Sequence, residues 1–313
     1  MKDAFGREIR YLRVSVTDRC NLRCRYCMPA AGVPDKGHGN ILSFERIAEI
    51  VAAATELGVS KVRLTGGEPL VRRGIVDLVR TLAAPGTLRD LAMTTNGTLL
   101  ADLARPLKDA GLMRLNISLD SLDPDTYRAV TRGGDLALAK RGLRAALDCG
   151  FPVKLNAVLQ RGVNEREIPD LVDLTRDLPV ELRFIELMPM NGDCAGDAFL
   201  PGSAVLDAVP ALRPLEGDGK ARRFALPGAA GTIGLIEPAS RPFCAACDRL
   251  RLTADGKLKP CLLDSREIPL EGLHGDELTA ALRDAILAKP AAHGALSFTG
   301  QSPAGRPMNR IGG

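Results

Sequence analysis

The sequence predicts an α/β protein: an incomplete (βα)6 barrel built on a parallel sheet, followed by a smaller C-terminal extension that contains β-strands. Two observations support this fold class. Up to residue 190, short runs of branched apolar residues alternate with longer segments of helical periodicity, an order typical of parallel sheets with right-handed crossovers. Beyond residue 190 the segments are shorter and richer in Gly and Pro. We therefore expect a barrel region at residues 1–190 and a C-terminal region at residues 191–313.

The first strand and the first helix show how the elements are recognised. Leu12, Val14 and Val16 alternate with other residues, as in a strand buried on one face. Ser43 is suited to cap a helix with apolar residues at helical spacing, and Gly58 is suited to end it. The same patterns predict strands at residues 61–64, 91–94, 114–119, 153–159 and 181–187, and helices near residues 75–82, before Gly111, twice between 120 and 150, and at 165–177.

Polar or Gly-rich segments follow the predicted strands. They lie at residues 17–27, 65–69, 94–97, 118–120 and from 186 onward. Barrel enzymes assemble their active sites at the carboxyl ends of the strands, and a closed barrel of this kind needs eight strands. With about six strands we expect a partly open barrel, whose gap admits a larger substrate.

Three elements are predicted in the C-terminal region. Thr232–Ile236 has the composition of a strand, residues 250–262 indicate a hairpin turned by Asp255-Gly256, and residues 276–287 indicate a helix. The tail after Lys289 has little periodicity. Local rules alone predict that such a tail is disordered.

Composition limits the classes of function. The 313 residues are 45% hydrophobic and carry a formal net charge of +4, which is too mild for wrapping nucleic acid but allows a localised anion site. No apolar run is long enough for a membrane span and the N-terminus lacks a signal core, so we expect a cytoplasmic protein with no membrane or nucleic-acid partner. Only three histidines are present, which disfavours histidine-based hydrolysis.

Three thiols follow the first strand in a C-x-x-x-C-x-x-C motif. We call Cys20, Cys24 and Cys27 the N-terminal cysteine triplet. A structural zinc site requires a fourth ligand, whereas a 4Fe-4S cluster held by three cysteines leaves one iron open to a cofactor or substrate. The plain alternative is that these cysteines pack in the core.

The segment Thr65-Gly66-Gly67-Glu68-Pro69 follows the second strand. Adjacent glycines let a backbone approach a ligand closely, although an isolated pair is more often a simple turn. Together with the N-terminal cysteine triplet and Tyr26 between its last two thiols, this segment resembles the signature of the radical S-adenosylmethionine (SAM) superfamily. In that superfamily the open iron binds the amino and carboxylate groups of SAM, and the Gly-Gly-Glu-Pro segment contacts its amino group.

Three further cysteines form the C-terminal cysteine triplet: Cys244, Cys247 and Cys261. A C-x-x-C pair with one distant cysteine is commonly a zinc site, but no fourth ligand is evident. We favour a second 4Fe-4S cluster, again with one open iron, over zinc. Cytosolic thiols are kept reduced, so disulfides are not expected.

Several basic residues are placed to bind an anion. Arg249 and Arg251 alternate on a predicted strand and therefore share one face, and paired guanidiniums suit a polyphosphate. Arg13, Arg63 and Lys154 add positive charge that can face the same cavity. The alternative for each is a solvated or salt-bridged surface residue. No P-loop motif is present.

Over essentially its whole length the sequence is similar to the GTP 3′,8-cyclase family of molybdenum-cofactor biosynthesis. The C-terminal cysteine-arginine block and the Gly312-Gly313 end are specific to that family, whereas Cys194 has no family role and is interpreted as incidental. The similarity is carried by Ser15 to Pro29, Arg63 to Leu70, Thr94 to Gly97, Ser118 to Asp123, Arg183 to Pro189, Cys244 to Arg251, Cys261-Leu262 and the last three residues.

The resemblance implies a role for each candidate residue. The cluster that binds SAM would be held by Cys20, Cys24 and Cys27, and the SAM pocket would be lined by Tyr26, Gly67, Ser118 and Met188. The auxiliary cluster, whose open iron takes the guanine, would be held by Cys244, Cys247 and Cys261. GTP would be fixed by Arg13, Arg63, Thr94, Lys154, Arg249 and Arg251. The tail, Gly312 and Gly313, would reach back beside the SAM cluster, anchored by Arg306, Met308 and Ile311.

The implied reaction converts GTP to (8S)-3′,8-cyclo-7,8-dihydroguanosine 5′-triphosphate: a 5′-deoxyadenosyl radical removes the ribose 3′ hydrogen, and the resulting carbon radical attacks C8. The implied cofactors are SAM and two 4Fe-4S clusters. The implied partners are an external electron donor and a downstream cyclic pyranopterin synthase, and a homodimer is left open.

Two alternatives remain at this point. Another radical SAM enzyme with an auxiliary cluster, such as a peptide-modifying maturase, shares the N-terminal cysteine triplet but gives no reason for the paired arginines. A zinc or iron-sulfur module that carries electrons or binds nucleic acid is disfavoured by the large βα barrel, and metal analysis separates it from an enzyme.

Overall fold

The computed structural model of the protein describes residues 1–32, 40–190, 196–217, 219–294, 296 and 304–312. Its strands are β1 (Tyr11–Ser15), β2 (Lys61–Thr65), β3 (Asp90–Thr95), β4 (Arg114–Ser118), β5 (Val153–Leu159), β6 (Val180–Glu186), β7 (Arg213–Leu215), β8 (Arg222–Ala225), β9 (Thr232–Ile236), β10 (Arg249–Leu252), β11 (Lys257–Lys259) and β12 (Ile268–Pro269). Its α-helices are α1 (Phe44–Glu56), α2 (Ile75–Ala83), α3 (Leu100–Asp109), α4 (Pro124–Thr131), α5 (Leu136–Asp148), α6 (Ile168–Asp177), α7 (Ser203–Ala208) and α8 (Gly275–Leu287).

All of these strands belong to one sheet, in the order β12-β11-β10-β1-β2-β3-β4-β5-β6-β9-β8-β7. The eight central strands, from β10 to β9 in this order, are parallel to one another. Antiparallel strands extend the sheet at both edges: β11 and β12 beyond β10, and β8 and β7 beyond β9. The predicted α/β fold with six consecutive βα strands is confirmed. The sheet stays open, because β7 and β12 lie at opposite edges.

The C-terminal region contributes to the barrel wall. β9 pairs with β6 at one edge of the six-strand core, and β10 pairs with β1 at the other. The sequence indicates these two strands but not where they pair. The boundary proposed at residue 190 stays a prediction, since the strands beyond it continue the same sheet.

The sequence signals for individual elements act locally as expected. Ser43 caps α1 by accepting a hydrogen bond from the backbone N–H of Arg46 at 3.1 Å, and Ile47, Ile50 and Val51 on that helix are buried in the main core. Buried residues alternate with partly buried ones along β5 and β6. This alternation places one set against the helices and leaves the other for the barrel interior.

Four short elements, α7, β7, β8 and β12, are not predicted by the sequence. The three residues of β7 are all exposed, so they carry no buried face to set a period. β12 spans only two residues. The short strands form because a neighbouring strand offers hydrogen bonds, which sequence periodicity does not report, and α7 has only six residues, too few for a helical period to be recognised.

Residues 304–312 return to the sheet. Arg306 Nη1 lies 2.8 Å from Asp255 Oδ1, and its Nε lies 2.5 Å from Glu267 Oε1. Ile311 is fully buried in a small apolar cluster with Met190. The disorder that local rules predict is therefore wrong for these residues, whereas Gly313 and Cys194 lie outside the described residues.

None of the helices in the described ranges combines the length and the apolar surface that crossing a membrane requires.

Candidate active site

The barrel encloses a cavity that collects residues from both sequence regions. Strands β1 to β6 contribute polar residues to its wall, and the C-terminal cysteine triplet lines it as well. Among the residues that line it are Arg13, Tyr26, Arg63, Thr94, Asn116, Ser118, Asp120, Asn156, Arg183, Met188, Cys244, Cys247, Arg249, Arg251, Cys261, Lys289 and Met308. Most of the residues implied for SAM and GTP therefore face one space.

The N-terminal cysteine triplet lies in the loop that follows β1. The backbone N–H of Leu22 donates to Cys20 Sγ at 3.3 Å, and Asn96 Nδ2 lies 4.0 Å from the same sulfur. The Cys27 N–H bonds the Cys24 carbonyl at 2.9 Å, which forms a tight turn. N–H donors around a sulfur are typical of cluster ligands, because they stabilise its negative charge.

Burial governs the electrostatics of this triplet. It raises the pKa of Cys20 to about 11 and the pKa of Cys27 to about 12, and it raises the pKa of Cys24, with Asp120 adding to the effect. Thiolates in this loop would therefore need a bound cation to offset their charge, as a metal cluster would provide.

Tyr26 and Asp120 connect the cysteine loop to the end of β4. Tyr26 Oη donates to Asp120 Oδ2 at 2.8 Å, and the N–H of Val158 donates to Asp120 Oδ1 at 2.8 Å. Burial raises the pKa of Asp120 to about 6. Both residues line the cavity with Ser118 and Met188, so three of the four residues implied for SAM line one cavity.

Gly67, the fourth residue implied for SAM, is not among the residues that line the cavity. A Cβ at this position would stand 2.2 Å from the carbonyl oxygen of Arg19, so only glycine fits. Gly67 N–H bonds Thr17 O at 2.7 Å and Glu68 N–H bonds Arg19 O at 2.8 Å. The Gly-Gly-Glu-Pro segment thus supports the backbone that leads into the cysteine loop.

The C-terminal cysteine triplet gathers two chain segments. Cys244 begins a single helical turn and Cys247 follows it, whereas Cys261 follows β11. In the described ranges no three His, Cys, Asp or Glu side chains form a group that would hold a single metal ion. All three cysteines line the same cavity, so three thiolates are available there to a four-iron cluster, in which each would ligate a different iron.

Four arginines line the cavity beside this second triplet, and we call Arg13, Arg63, Arg249 and Arg251 the arginine layer. Arg13 stands in register with Arg63 on β2 and with Arg251 on β10. Burial, reinforced by mutual repulsion, lowers the pKa of Arg13 and of Arg63 to about 9 and that of Arg251 to about 10. Clustered cations of this kind favour an anionic ligand.

Thr94 and Asn116 stand side by side on β3 and β4 in the same cavity. Thr94 Oγ1 and Asn116 Nδ2 are buried without a hydrogen-bond partner in the described ranges. Arg114 Nη1 donates to Asn116 Oδ1 at 2.9 Å, so the amide donor is the group left for a ligand. The sequence analysis missed Asn116, Asn156 and Arg183, although their inward position on strands was a usable signal.

Lys154 is the one implied GTP residue that is not among the cavity-lining residues. Its Nζ lies 2.7 Å from Glu181 Oε2 on the neighbouring strand β6. Glu181 also holds Arg183, whose Nε lies 2.5 Å from Oε1. The carboxylate therefore sits between two cations, one of which reaches the cavity.

The tail enters the site from the other side. The carbonyl of Gly312 accepts a hydrogen bond from Arg251 Nη1. Gly312 has φ +77°, and a Cβ there would lie 2.4 Å from Thr65 Oγ1. Asn309 Nδ2 donates to the Asp18 carbonyl at 3.0 Å, just before the N-terminal cysteine triplet. The tail thus touches both the cysteine loop and the arginine layer.

Known families account for both halves of the chain. The radical SAM superfamily matches residues 14–175, and the family Molybdenum Cofactor Synthesis C matches residues 180–295. The fold and the N-terminal cysteine triplet, taken with these matches, define a radical SAM enzyme. Proteins named GTP 3′,8-cyclase from Moorella thermoacetica and Pelotomaculum thermopropionicum are each 48% identical to the chain, over 100% of both sequences. The chain belongs to the GTP 3′,8-cyclase family, and its cofactors are SAM and two 4Fe-4S clusters.

Solved structures share the fold at much lower identity. Streptococcus suis SuiB bound to S-adenosylmethionine has a TM-score of 0.62 and 14% identity, over 95% of this chain and 74% of that one. Native anSMEcpe with bound AdoMet has a TM-score of 0.60 and 14% identity, over 90% and 81%. These matches support the predicted fold class.

Proposed function

We propose that this chain converts GTP to (8S)-3′,8-cyclo-7,8-dihydroguanosine 5′-triphosphate for molybdenum-cofactor biosynthesis. The observation that carries this proposal is the arginine layer, which lines one cavity together with Tyr26 and the C-terminal cysteine triplet. A triphosphate needs several guanidiniums, and a peptide substrate does not. Full-length relatives that carry the cyclase name support the same assignment.

At one end of the cavity, Cys20, Cys24 and Cys27 hold the cluster that binds SAM, with Tyr26, Gly67, Ser118 and Met188 around it. SAM and this cluster supply the 5′-deoxyadenosyl radical that removes the ribose 3′ hydrogen. Asp120 fixes the hydroxyl of Tyr26, and Gly67 lets the supporting backbone approach the loop. These residues orient the reacting group and keep water away from it.

At the other end, the arginine layer and Thr94 bind the triphosphate, and Lys154 contributes through the charge network around Glu181. Cys244, Cys247 and Cys261 would hold the second cluster, which would supply an open iron site for the guanine. Gly312 contacts the arginine layer, because its carbonyl accepts a hydrogen bond from Arg251.

Anaerobic incubation with SAM, dithionite and GTP labelled with deuterium at the ribose 3′ position tests the function. We expect 5′-deoxyadenosine that carries the deuterium, and a cyclised isomer of GTP that separates from GTP by chromatography and lacks the deuterium, because ring closure is completed by one electron and one solvent proton. ATP in place of GTP is the matched control and should give neither in quantity. Formation of 5′-deoxyadenosine that ignores GTP but responds to a peptide would instead support a maturase.

We also propose the partners that such a reaction requires. Reductive cleavage of SAM consumes an electron, so an external electron donor serves the N-terminal cluster. The product goes to a cyclic pyranopterin synthase, and we place both reactions in the cytoplasm. A homodimer is left open as the assembly, and sedimentation at two protein concentrations decides between a monomer and a dimer.

A further inference from the structure

Lys289, just after α8, is a buried lysine that neither the family match nor the proposed mechanism uses. It is 3% exposed. Its Nζ donates to the carbonyl of Arg249 at 2.9 Å and to the carbonyl of Pro260 at 2.8 Å. Arg249 lies two residues after Cys247, and Pro260 immediately precedes Cys261. One ammonium therefore ties together the two segments that bring these thiols to the cavity.

The ammonium also faces the thiols of the second triplet. Lys289, Cys247 and Cys261 line the same cavity, and the positive charge of Lys289 lowers the pKa of Cys247 against the effect of burial. In the part of the chain that the structure describes, no carboxylate forms an ion pair with Lys289, whose hydrogen-bond partners are two backbone carbonyls. A buried charge is normally paired, so its counter-charge has to come from the thiolates.

Arg7 fixes the remaining cysteine to the same segment. Its Nη1 donates to the carbonyls of Cys244 and Ala291, both at 2.9 Å, and its Nη2 donates to the carbonyl of Pro290 at 2.7 Å. Asp3 neutralises this guanidinium at 2.6 Å. The 289–291 segment is thus linked to the backbone near Cys247 and Cys261 through Lys289 and to Cys244 through Arg7. Of these two cations, Arg7 has a carboxylate partner in the described residues and Lys289 has none.

Lys259 offers a matched comparison. Its side chain is fully buried, and its Nζ donates to the carbonyls of Asp264 at 2.7 Å and Ala304 at 3.2 Å. It differs in one respect, because Glu267 Oε1 lies 3.7 Å away and supplies a negative charge. The two lysines are therefore alike in burial and in their contacts with backbone carbonyls. They differ in the acidic group nearby, which is a carboxylate for Lys259 and a thiol for Lys289.

We propose that Lys289 is a positioning residue of the second cluster site, which holds Cys247 and Cys261 in register and supplies the positive charge that faces the Cys247 sulfur. This rests on the proposed assignment of the C-terminal cysteine triplet to a cluster. Cations and hydrogen bonds directed at ligating sulfur stabilise the more negative, reduced state. Lys289 therefore raises the reduction potential of the second cluster and leaves that of the first unchanged.

The test compares Lys289→Met, Lys289→Arg and Lys259→Met in anaerobically purified enzyme with both clusters loaded. Iron per chain and an EPR-monitored redox titration of each cluster are measured, with SAM cleavage as the report on the first site. We expect Lys289→Met to shift the potential of the second cluster to more negative values or to lose that cluster, with iron falling from about eight to about four per chain. Lys289→Arg should restore the wild-type signature, and Lys259→Met should keep it.

Wild-type potentials and iron content in Lys289→Met would overturn the proposal. So would a cluster defect that Lys289→Arg does not repair, or an equal defect in Lys259→Met, because either shows that filling the buried space matters and the charge does not. A wild-type enzyme that holds only about four irons would be a different result. It would refute the assignment of the triplet itself and with it the proposed function.

Discussion

The two cysteine triplets differ in how the chain assembles them and in the charge that surrounds them. The N-terminal triplet lies on one loop, with carboxylates nearby, and burial raises the pKa of its thiols. The C-terminal triplet is drawn from separate segments among cations. Burial acts to raise the pKa of Cys247 too, yet Lys289 and Arg249 outweigh it and the pKa is lowered.

This contrast fits the ligands that we propose for the two sites. Glu68 and Asp120 act on the N-terminal thiols, and the sulfonium and amino group of SAM would bring positive charge to those carboxylates. The C-terminal site shares its cations with the arginine layer and suits a polyanion.

The largest expected effect comes from removing one ligand at each end. Cys24→Ala should abolish SAM cleavage, because two thiolates do not hold the cluster. Cys261→Ala should keep some SAM cleavage and lose cyclisation. Measurement of 5′-deoxyadenosine and of the cyclised product separates the two, and Cys149→Ala, outside both triplets, should behave as wild type. Wild-type GTP turnover in Cys261→Ala would remove the second cluster from the mechanism.

Changes in the C-terminal tail, which contacts both the cysteine loop and the arginine layer, should have the next largest effect on cyclisation. Gly312→Ala, or deletion of Gly312 and Gly313, should strongly reduce cyclisation and leave cluster content and folding largely intact, because a Cβ at Gly312 meets Thr65 Oγ1. Gly305→Ala is the control: it also has positive φ, but its nearest neighbour atom would be 3.9 Å away. Equal loss in both variants would point to backbone strain and not to the contact.

Replacing a single arginine of the cavity should have an intermediate effect, which weakens the binding of GTP and not that of SAM. Arg249→Ala and Arg251→Ala each lose a charge-assisted hydrogen bond of about 1.5 to 3 kcal/mol, or about one to two decades of affinity. Isothermal titration should show weaker GTP binding with SAM affinity nearly unchanged. Arg46→Ala, a shielded arginine on α1 outside the cavity, is the control, and unchanged GTP affinity in both cavity variants contradicts the assignment.

The smallest effect concerns thiol reactivity after chelation of the iron. A lowered pKa gives Cys247 more thiolate at neutral pH, whereas raised pKa values keep Cys20 and Cys27 protonated until alkaline pH. Alkylation followed by mass spectrometry at pH about 7 and about 10 should therefore label Cys247 first and the others only at the higher pH. Lys289→Met should remove that advantage, and uniform labelling at neutral pH contradicts the contrast.

Elements with a strong local pattern could be predicted from the sequence. β1 follows from the alternation of Leu12 and Val14, α1 from its Ser43 cap, and the hairpin of β10 and β11 from Asp255-Gly256. The pairing of β1 with β10 could not be predicted, because parallel strands far apart in sequence leave no register signal. The pairing of β9 with β6 could not be predicted for the same reason.

The candidate site divides in the same way. The two cysteine triplets could be predicted because their spacing is that of metal ligands. The inward direction of the arginines could be predicted from the alternation of side chains along a strand. Lys289 could not be found, since it lies in a tail without periodicity and its partners are backbone carbonyls. The ion pair of Lys154 with Glu181 could not be predicted either, because it depends on which strand pairs with β5.

The parallel pairing of β1 with β10 also sets an order of events during synthesis. β1 is among the first segments to leave the ribosome, but Tyr11 pairs with Arg249 and Arg13 with Arg251, which are translated much later. Until then one edge of β1 carries unpaired backbone groups and can template wrong pairing. The nascent barrel meanwhile lacks half of the arginine layer and all of the second triplet. Nucleotide capture and loading of the second cluster therefore begin only after nearly the whole chain has been made.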